Sequence, residues 1–463
     1  MGRVCAATAS PARVLAVRAL VRAESEGLFV REVLRELASR TMLDHRDEGL
    51  ALRLALGATA TRGCLDELID RHLDKPSKVK PAVRALLRIG SFEAVYGGVA
   101  PRVAVSQAVE VAHVVAPYAA SLANAVLRKV CADAPSWLEA HDFPVDQRDI
   151  VSRSRHAGLP VWLVRRMGKG VSPEQLDDIL RAALEQAPSA VQLHPRVVDD
   201  GIGSPLCVPG SRSAASISDM AASGMFACGD AVASDLAAQV VASVATREGS
   251  CLELGSGRGT KTYMMCSQAF RRNLSRRHVS VELSAGKCRA NLDRLAAAGF
   301  TDVQVRAGDA CHLDGVLGGD ALEGELFDTV FIDAPCSGVG TMRRHPEIPW
   351  RLDTRQVDRD LPELQLAMLR EGARRVRVGG ELLYATCSLL AKENGGVVDA
   401  FLVQAGNAFE LRPLDGIDSL DDPLNADVRS FVREHLDGRG CMQTLPLSHE
   451  PDGHFCARFV RIA

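Results

Sequence analysis

The chain has no Cys-x-x-Cys pair and no His-x-His pair, although it carries 13 cysteines and 12 histidines. Cysteines scattered singly exclude a disulfide framework and a structural zinc site, so no metal is expected and the compartment reads as reducing and cytoplasmic. No apolar run reaches the roughly 20 residues that cross a bilayer. Arg13, Arg18 and Arg22 interrupt the opening stretch, which excludes the apolar centre of a signal peptide. There is also no strong excess of either charge. A net charge of −3 over 463 residues gives no global attraction to nucleic acid, and ordinary apolar and charged fractions mark a globular chain.

At this length two or three domains are expected. Residues 12–130 lack period-2 alternation; instead apolar residues recur at helical intervals, as in Val14, Val17 and Val21, in Val30, Val33, Leu34 and Leu37, and in Val83, Leu86 and Leu87. Breaks at Lys75-Pro76-Ser77, Gly97-Gly98 and Pro117 divide this stretch into a helical bundle. The next hundred residues are mixed. Asp133-Ala-Pro-Ser136, residues 141–144 and the Ser/Gly-rich run 201–223 read as loops, with a short helix around Trp162, Leu163 and Met167. From Cys251 strand and helix signals alternate: strands at 251–254, 278–283, 303–306, 328–332 and 381–385, with helices at 285–297 and 362–376 among them. Such alternation predicts a mainly parallel sheet covered on both faces, which binds ligands at the carboxyl ends of its strands. The expected division is 1–135, a helical domain; 136–229, a linker and small subdomain; and 230–463, an α/β domain. The acidic stretch 410–437 reads as a solvated insertion.

The first of these strands runs into Glu253-Leu-Gly-Ser-Gly-Arg-Gly-Thr-Lys-Thr262, with Gly255, Gly257 and Gly259 at alternate positions before a helix. Glycines there allow positive φ and close backbone approach to a ligand. Alone, such a loop suits a nicotinamide or flavin cofactor as well. Acidic residues near three successive strand ends, Glu253, Glu282 and Asp309, narrow it: a carboxylate at Glu282 can take both ribose hydroxyls and Asp309 can meet an adenine amino group, which fits S-adenosylmethionine.

Two further strand-like runs each deliver a cysteine to a strand end, Phe327-Asp-Thr-Val-Phe-Ile-Asp-Ala-Pro-Cys336 and Gly379-Gly-Glu-Leu-Leu-Tyr-Ala-Thr-Cys-Ser388. A thiol beside a carboxylate such as Asp333 suits covalent attack on an electron-poor ring. Arg271, Arg272, Arg276 and Arg277 form one short basic cluster, and Arg343 and Arg344 follow Cys336. Such clusters commonly face solvent, but Arg343 and Arg344 stand near the candidate site, and guanidinium groups pair with phosphates in a fork. His345 reads equally as a phosphate or base contact and as a loop histidine with a structural hydrogen bond.

The run Asp333-Ala-Pro-Cys-Ser-Gly338, with Arg343-Arg-His-Pro-Glu347, Trp350, Asp360-Leu-Pro-Glu-Leu-Gln365 and Tyr384-Ala-Thr-Cys-Ser388, resembles the RsmB (Fmu/Sun) family of ribosomal RNA cytosine-C5 methyltransferases. Asp452-Gly-His-Phe455 is similar to that family's closing motif, which usually has a second aromatic at the position of His454. Val105-Ser-Gln-Ala-Val-Glu110 and Ala123-Asn-Ala-Val-Leu-Arg128 resemble the NusB-like domain that precedes the catalytic domain in bacterial members. The chain departs from the family at Gly255-Ser-Gly-Arg-Gly-Thr-Lys-Thr262, where members generally have Cys-Ala-Ala-Pro-Gly-Gly-Lys-Thr. It departs again at Val191-Gln-Leu-His-Pro-Arg196, where a Leu-Arg-x-Asn element is usual.

The resemblance implies an all-α NusB-like domain followed by an α/β Rossmann-like class I methyltransferase domain. It implies S-adenosylmethionine as methyl donor, held by Gly255, Ser256, Gly257, Arg258, Gly259, Thr260, Lys261, Glu282, Asp309 and Asp333. Ribosomal RNA, 16S by this resemblance, is the implied substrate of a monomeric enzyme, with Arg343 and Arg344 touching RNA. Cys387 is implied as the nucleophile at cytosine C6 and Cys336 as the thiol that assists release, while Asp333 holds the N3/N4 edge of the base. DNA cytosine methyltransferases instead attack with the Pro-Cys thiol. Two other readings stay open here: the same chemistry on transfer RNA, and a non-catalytic RNA-binding or assembly factor that retains the fold.

Overall fold

Proline at the first helical position and glycine just past the last frame the opening helix. α1 (Pro11–Glu26) starts on Pro11 and ends at Gly27, whose φ of 64° lets its N–H close on Ala23 O. The computed structural model of the chain describes residues 9–41, 43–140, 149–198, 201–319 and 322–463. These fall into two compact units, residues 1–185 with 342–351, and residues 186–341 with 352–463. The predicted loop at 141–144 lies outside the described residues.

In the first unit α1 is followed by α2 (Val30–Ala38), α3 (His45–Ala60), α4 (Arg62–Asp70), α5 (Pro81–Val95), α6 (Pro101–Val115), α7 (Ala120–Ala140), α8 (Ile150–Ala157), α9 (Val161–Met167) and α10 (Pro173–Ala182). The three predicted breaks fall between helices, and Val17, Val33, Leu34, Leu86 and Leu87 join one buried cluster with Leu54, Leu68, Ile69 and Leu127. Buried charge is paired: Arg88, 4% exposed, donates to both oxygens of Asp66 and to Glu24.

The expected loop at Asp133-Ala-Pro-Ser136 is instead the last part of α7, with Pro135 inside the helix. A helix-interior proline costs about 3 kcal/mol. Ala134 before it and Trp137 after it, the latter 3% exposed, are buried, which recovers an amount of the same order. The helical unit also runs past residue 135, because α4 and α8 pack closely: a Cβ on Gly63 would lie 2.2 Å from Gly158 O, and the Cys64 thiol donates to Arg155 O at 3.4 Å.

The second unit opens with a small sheet in the order β2-β1-β3, made of β1 (Ala190–Leu193), β2 (Ser211–Ser213) and β3 (Ala231–Ala233), with α11 (Ile217–Ala222) between the last two. The departing segment at 191–196 thus supplies Val191, Gln192 and Leu193 to a buried strand, and Arg196, in the turn after it, ties the segment down through Asp230 and the carbonyls of Cys228 and Ala298. After α12 (Leu236–Val244) come β4 (Gly249–Leu254), α13 (Thr260–Arg271), β5 (Arg276–Glu282), α14 (Ala285–Ala298), β6 (Val303–Ala307), α15 (Leu313–Leu317) and β7 (Phe327–Asp333). Within the segment assigned to the helical unit lies α16 (Ile348–Arg351); the α/β unit resumes with α17 (Leu361–Arg374), β8 (Val376–Thr386), α18 (Gly395–Ala405), β9 (Phe409–Arg412), α19 (Ala426–Glu434), β10 (Met442–Gln443) and β11 (Phe455–Arg461).

The large sheet has the order β10-β11-β8-β7-β4-β5-β6, with β9 on β11. β6, β5, β4, β7 and β8 are parallel neighbours, so all five present their carboxyl ends on one side; β11 runs antiparallel to β8. Leu382, Leu383, Tyr384 and Ala385 are all buried, as expected of a central strand covered on both faces. The stretch 410–437 is not a solvated insertion. Leu414, Ile417, Leu420, Val428 and Val432 are at most 2% exposed and join a core cluster with Val240, Val241 and Met442. Its acids bond to arginines, Asp418 to Arg247 and Asp422 to Arg272.

Candidate active site

The glycine loop turns sharply between β4 and α13. Gly255 has φ 80°, and a Cβ there would lie 2.4 Å from Asp333 O, so the ends of β4 and β7 approach as only glycine permits. Gly259, φ 79°, starts α13, and its Cβ would sit 1.9 Å from Asn291 Oδ1. A Cβ on Gly257 would meet nothing within 4 Å, so the loop leaves open space above its middle glycine. The Gly257 N–H donates to Glu282 Oε2 at 3.0 Å, while Glu282 Oε1 accepts the Ser284 N–H at 3.0 Å. Both oxygens are oriented by backbone and keep lone pairs for a ligand's hydroxyls. Glu253 lies fully buried beneath the loop, where it accepts from Thr262 Oγ1 and lies 3.1 Å from His278 Nε2. Ser256 is buried; Arg258 is exposed and its carbonyl accepts from Arg294.

Asp309 is exposed just past β6. Its pKa is held below the usual carboxylate range by the Cys311 N–H and then by His312. Lys261, next to Thr260 in the first turn of α13, reaches across to Asp333 at the end of β7, with Nζ 2.9 and 2.8 Å from the two carboxylate oxygens. Burial opposes the ammonium charge, but the Asp333 carboxylate outweighs it and moves the Lys261 pKa up.

β7 and β8 are in parallel register, Asp333 opposite Ala385, so the turns after them arrive side by side. Cys336 Sγ lies 3.3 Å from Cys387 Sγ, and the Cys387 N–H points at Cys336 Sγ from 3.4 Å. The pKa of the Cys336 thiol is pushed well up by its hydrogen bond to Cys387, by burial and by the nearby charge of Glu393. The turn before β11 completes this wall: the Gly453 N–H donates to Gly340 O and the Gly340 N–H to Cys387 O, each at 2.9 Å. His454, in place of the family's aromatic, is buried there with Nδ1 3.9 Å from Asp235, and burial pushes its pKa down.

The structure therefore gathers the glycine loop, Lys261, Glu282, Asp309, Asp333, Cys336 and Cys387 at the carboxyl ends of adjacent strands. Arg343 and Arg344 belong instead to the 342–351 segment of the helical unit, where both are half-buried. That segment is fastened by its own residues: the His345 ring packs edge-on against Phe29 with centroids 5.1 Å apart, Glu347 Oε1 accepts the Val30 N–H at 2.8 Å, and Trp350 lies beneath Arg62. Burial, then Arg31 and Arg344, push the His345 pKa down to about 4. The basic cluster is also tied internally, Arg271 to Leu193 O, Arg272 to Asp422 and Arg277 to Glu325.

Sequence reasoning missed Glu393. It is fully buried in the connection after β8 and accepts from both cysteine-bearing turns. Its local signal is slight: an acid followed by asparagine just before an apolar helix.

The model for 16S rRNA methyltransferase RsmB/F matches residues 245–460, and the NusB family model matches residues 10–132. Ribosomal RNA small subunit methyltransferase B of Pseudomonas putida is 32% identical, covering 75% of this chain and 79% of its own. The protein of the same name from Pseudomonas syringae pv. tomato is 31% identical and covers 86% of each chain. The solved structure of PH0851 has the same fold, with a TM-score of 0.74 at 19% identity over 97% of this chain and 99% of its own. With the cysteine pair and the glycine loop set on this sheet, the chain belongs to the RsmB/F family of 16S rRNA methyltransferases.

Proposed function

We propose that the protein methylates C5 of a cytosine in 16S ribosomal RNA, with Cys387 as nucleophile, Cys336 as the releasing thiol and Asp333 holding the base. One observation carries the reading: two thiols 3.3 Å apart at adjacent strand ends, in the unit where Asp333 is held by Lys261. Cytosine C5 is a poor nucleophile. Addition of the Cys387 thiolate to C6 opens the C5=C6 bond and puts its electron pair on C5. Asp333 accepts from the exocyclic amino group and so holds the base in register with the thiols. S-adenosylmethionine, the methyl donor of the family, supplies the methyl group when bound. Cys336 then helps to take the C5 proton. The C5–H electrons restore the double bond, and the C6–S pair returns to Cys387. A target base within a helix must leave its stack to reach both thiols.

Gly255, Ser256, Gly257, Arg258, Gly259, Thr260 and Lys261 would line the donor site with Glu282, Asp309 and Asp333. The open space over Gly257 and the two oriented oxygens of Glu282 fit that role. This retained cradle favours an enzyme over an assembly factor. Residues 1–135 are assigned to holding RNA, 136–229 to a linker and small RNA-contacting subdomain, and 230–463 to catalysis; the family matches at 10–132 and 245–460 support the outer two. Arg343 and Arg344 are assigned to RNA phosphates, and the protein to the cytoplasm as a monomer. Among the described residues no helix is long and apolar enough to cross a membrane. Bisulfite sequencing of total RNA from a deletion strain tests reaction and substrate together: one 16S cytosine should lose its methyl group, and loss in transfer RNA instead would overturn the substrate.

A further inference from the structure

We propose that Glu393 is a positioning residue that locks the two cysteine-bearing turns together, keeping Cys336 within reach of Cys387 so that the covalent adduct is released. The inference rests on the reading of Cys387 as the attacking thiol and Cys336 as the releasing one. Each cysteine is followed by a serine, and both serines end on one carboxylate. Glu393 Oε2 accepts from Ser337 Oγ and from Ser388 Oγ, each at 2.5 Å, and the two hydroxyls are 3.0 Å apart. Glu393 Oε1 accepts the Ser337 N–H at 2.8 Å and Gln365 Nε2 at 3.0 Å, while the same amide donates to Pro335 O at 3.0 Å. Tyr384, in β8, donates to the Glu393 carbonyl, and Asn394 next to it holds Ser388 O and Thr386 Oγ1.

A fully buried carboxylate with four donors is fixed in place, since moving either turn would take at least one of them from a charged group in the interior. None of its partners is itself a cysteine. The clamp therefore acts on the thiols through the residue that follows each one. Attack draws on Cys387, the base and Asp333 but not on Cys336, whereas release needs Cys336 at the right distance from the adduct on Cys387. Misplacement of a reacting group by about 1 Å costs up to about 100-fold. Loosening the clamp should thus slow release more than attack. The titratable groups that bear on the Cys336 thiol are Cys387, Glu393, Tyr384 and Lys261.

The test uses the full-length enzyme with unmodified 16S rRNA and S-adenosylmethionine, following turnover and, on denaturing gels, the covalent RNA adduct. E393Q should form adduct at close to the wild-type rate, turn over about 10- to 100-fold more slowly and accumulate adduct. Its release profile should also shift to lower pH, because a negative charge beside Cys336 is gone. S337A, which removes the hydroxyl on the Cys336 side alone, is read in the same way if E393Q does not fold. Wild-type turnover, or loss of adduct formation and turnover in equal proportion, overturns the inference. C387S and C336A run beside these variants: if C387S still forms adduct, the underlying reading fails and the inference with it, whereas C387S without adduct, C336A with trapped adduct and an unaffected E393Q overturn the inference alone.

Discussion

Lys261 and Asp333 form a two-pronged ion pair, Nζ to carboxylate at 2.9 and 2.8 Å, that joins the glycine-loop helix to the strand bearing the first cysteine turn. Lys261→Met should leave the Asp333 carboxylate without its cation and lower kcat on the order of 100-fold. The Lys261 pKa is raised, so the pair's contribution to stability is complete below the ordinary lysine value and is lost only as pH rises through the raised one. Stability of the variant relative to wild type should therefore be flat from pH 6 to about 9. Steady-state rates and chemical denaturation across that range check both parts; a fully active K261M would remove Asp333's orientation from the mechanism.

Cys387→Ser should abolish methyl transfer, because a hydroxyl does not supply the thiolate that adds to C6. Cys336→Ala should retain attack but stall release, and leave protein linked to RNA on a denaturing gel. The 3.3 Å separation of the sulfurs makes the division of labour testable within one pocket. Adduct from C387S and none from C336A would reverse the two roles.

The glycine loop separates fold from binding. Gly259→Ala places a methyl 1.9 Å from Asn291 Oδ1 at a φ of 79°, so it should destabilise the domain by about 2 kcal/mol or more. Gly257→Ala meets no neighbour and carries only the penalty of its φ of 58°, about 1 kcal/mol, but its methyl enters the space assigned to the donor. Thermal unfolding should rank G259A as the less stable. Calorimetry with S-adenosylmethionine should show weakened binding in G257A despite a retained fold.

What could be read in the sequence was what the backbone dictates locally. Gly255, Gly257 and Gly259 announce positive φ at a strand-to-helix turn, and the two Cys-Ser turns follow apolar runs of strand length. What could not be read depends on contacts far apart in the chain. Glu393 gains its meaning from Ser337, 56 positions away, and nothing beside it in sequence marks it as buried. The acids of 410–437 hid an apolar spacing at Leu414, Ile417 and Leu420. Their charge is met by Arg247 and Arg272, which only the fold brings near. Pro135 misled in the same manner, because its helix is held by a tryptophan buried two residues on.

His345 gives the helical unit an acid-side liability. Its pKa falls from the ordinary 6.5 to about 4, because burial and the neighbouring Arg31, Arg344 and Arg351 oppose a second positive charge, with Glu32 alone favouring it. The unfolded chain therefore binds this proton first, so the stability that His345 contributes is complete above pH 6.5 and is lost as pH falls through 4. The upper bound is about 3 kcal/mol. Glu347 works in the opposite sense, since burial raises its pKa and protonation then favours the folded form. Comparison of His345→Asn with wild type isolates the histidine, because Glu347 is common to both. The variant should be less stable at pH 7, through loss of the Phe29 contact, and the gap should narrow steadily towards pH 4. Denaturation series at pH 7, 6, 5 and 4 measure it, and a gap that stays constant over this range would show that His345 is free to protonate in the folded unit.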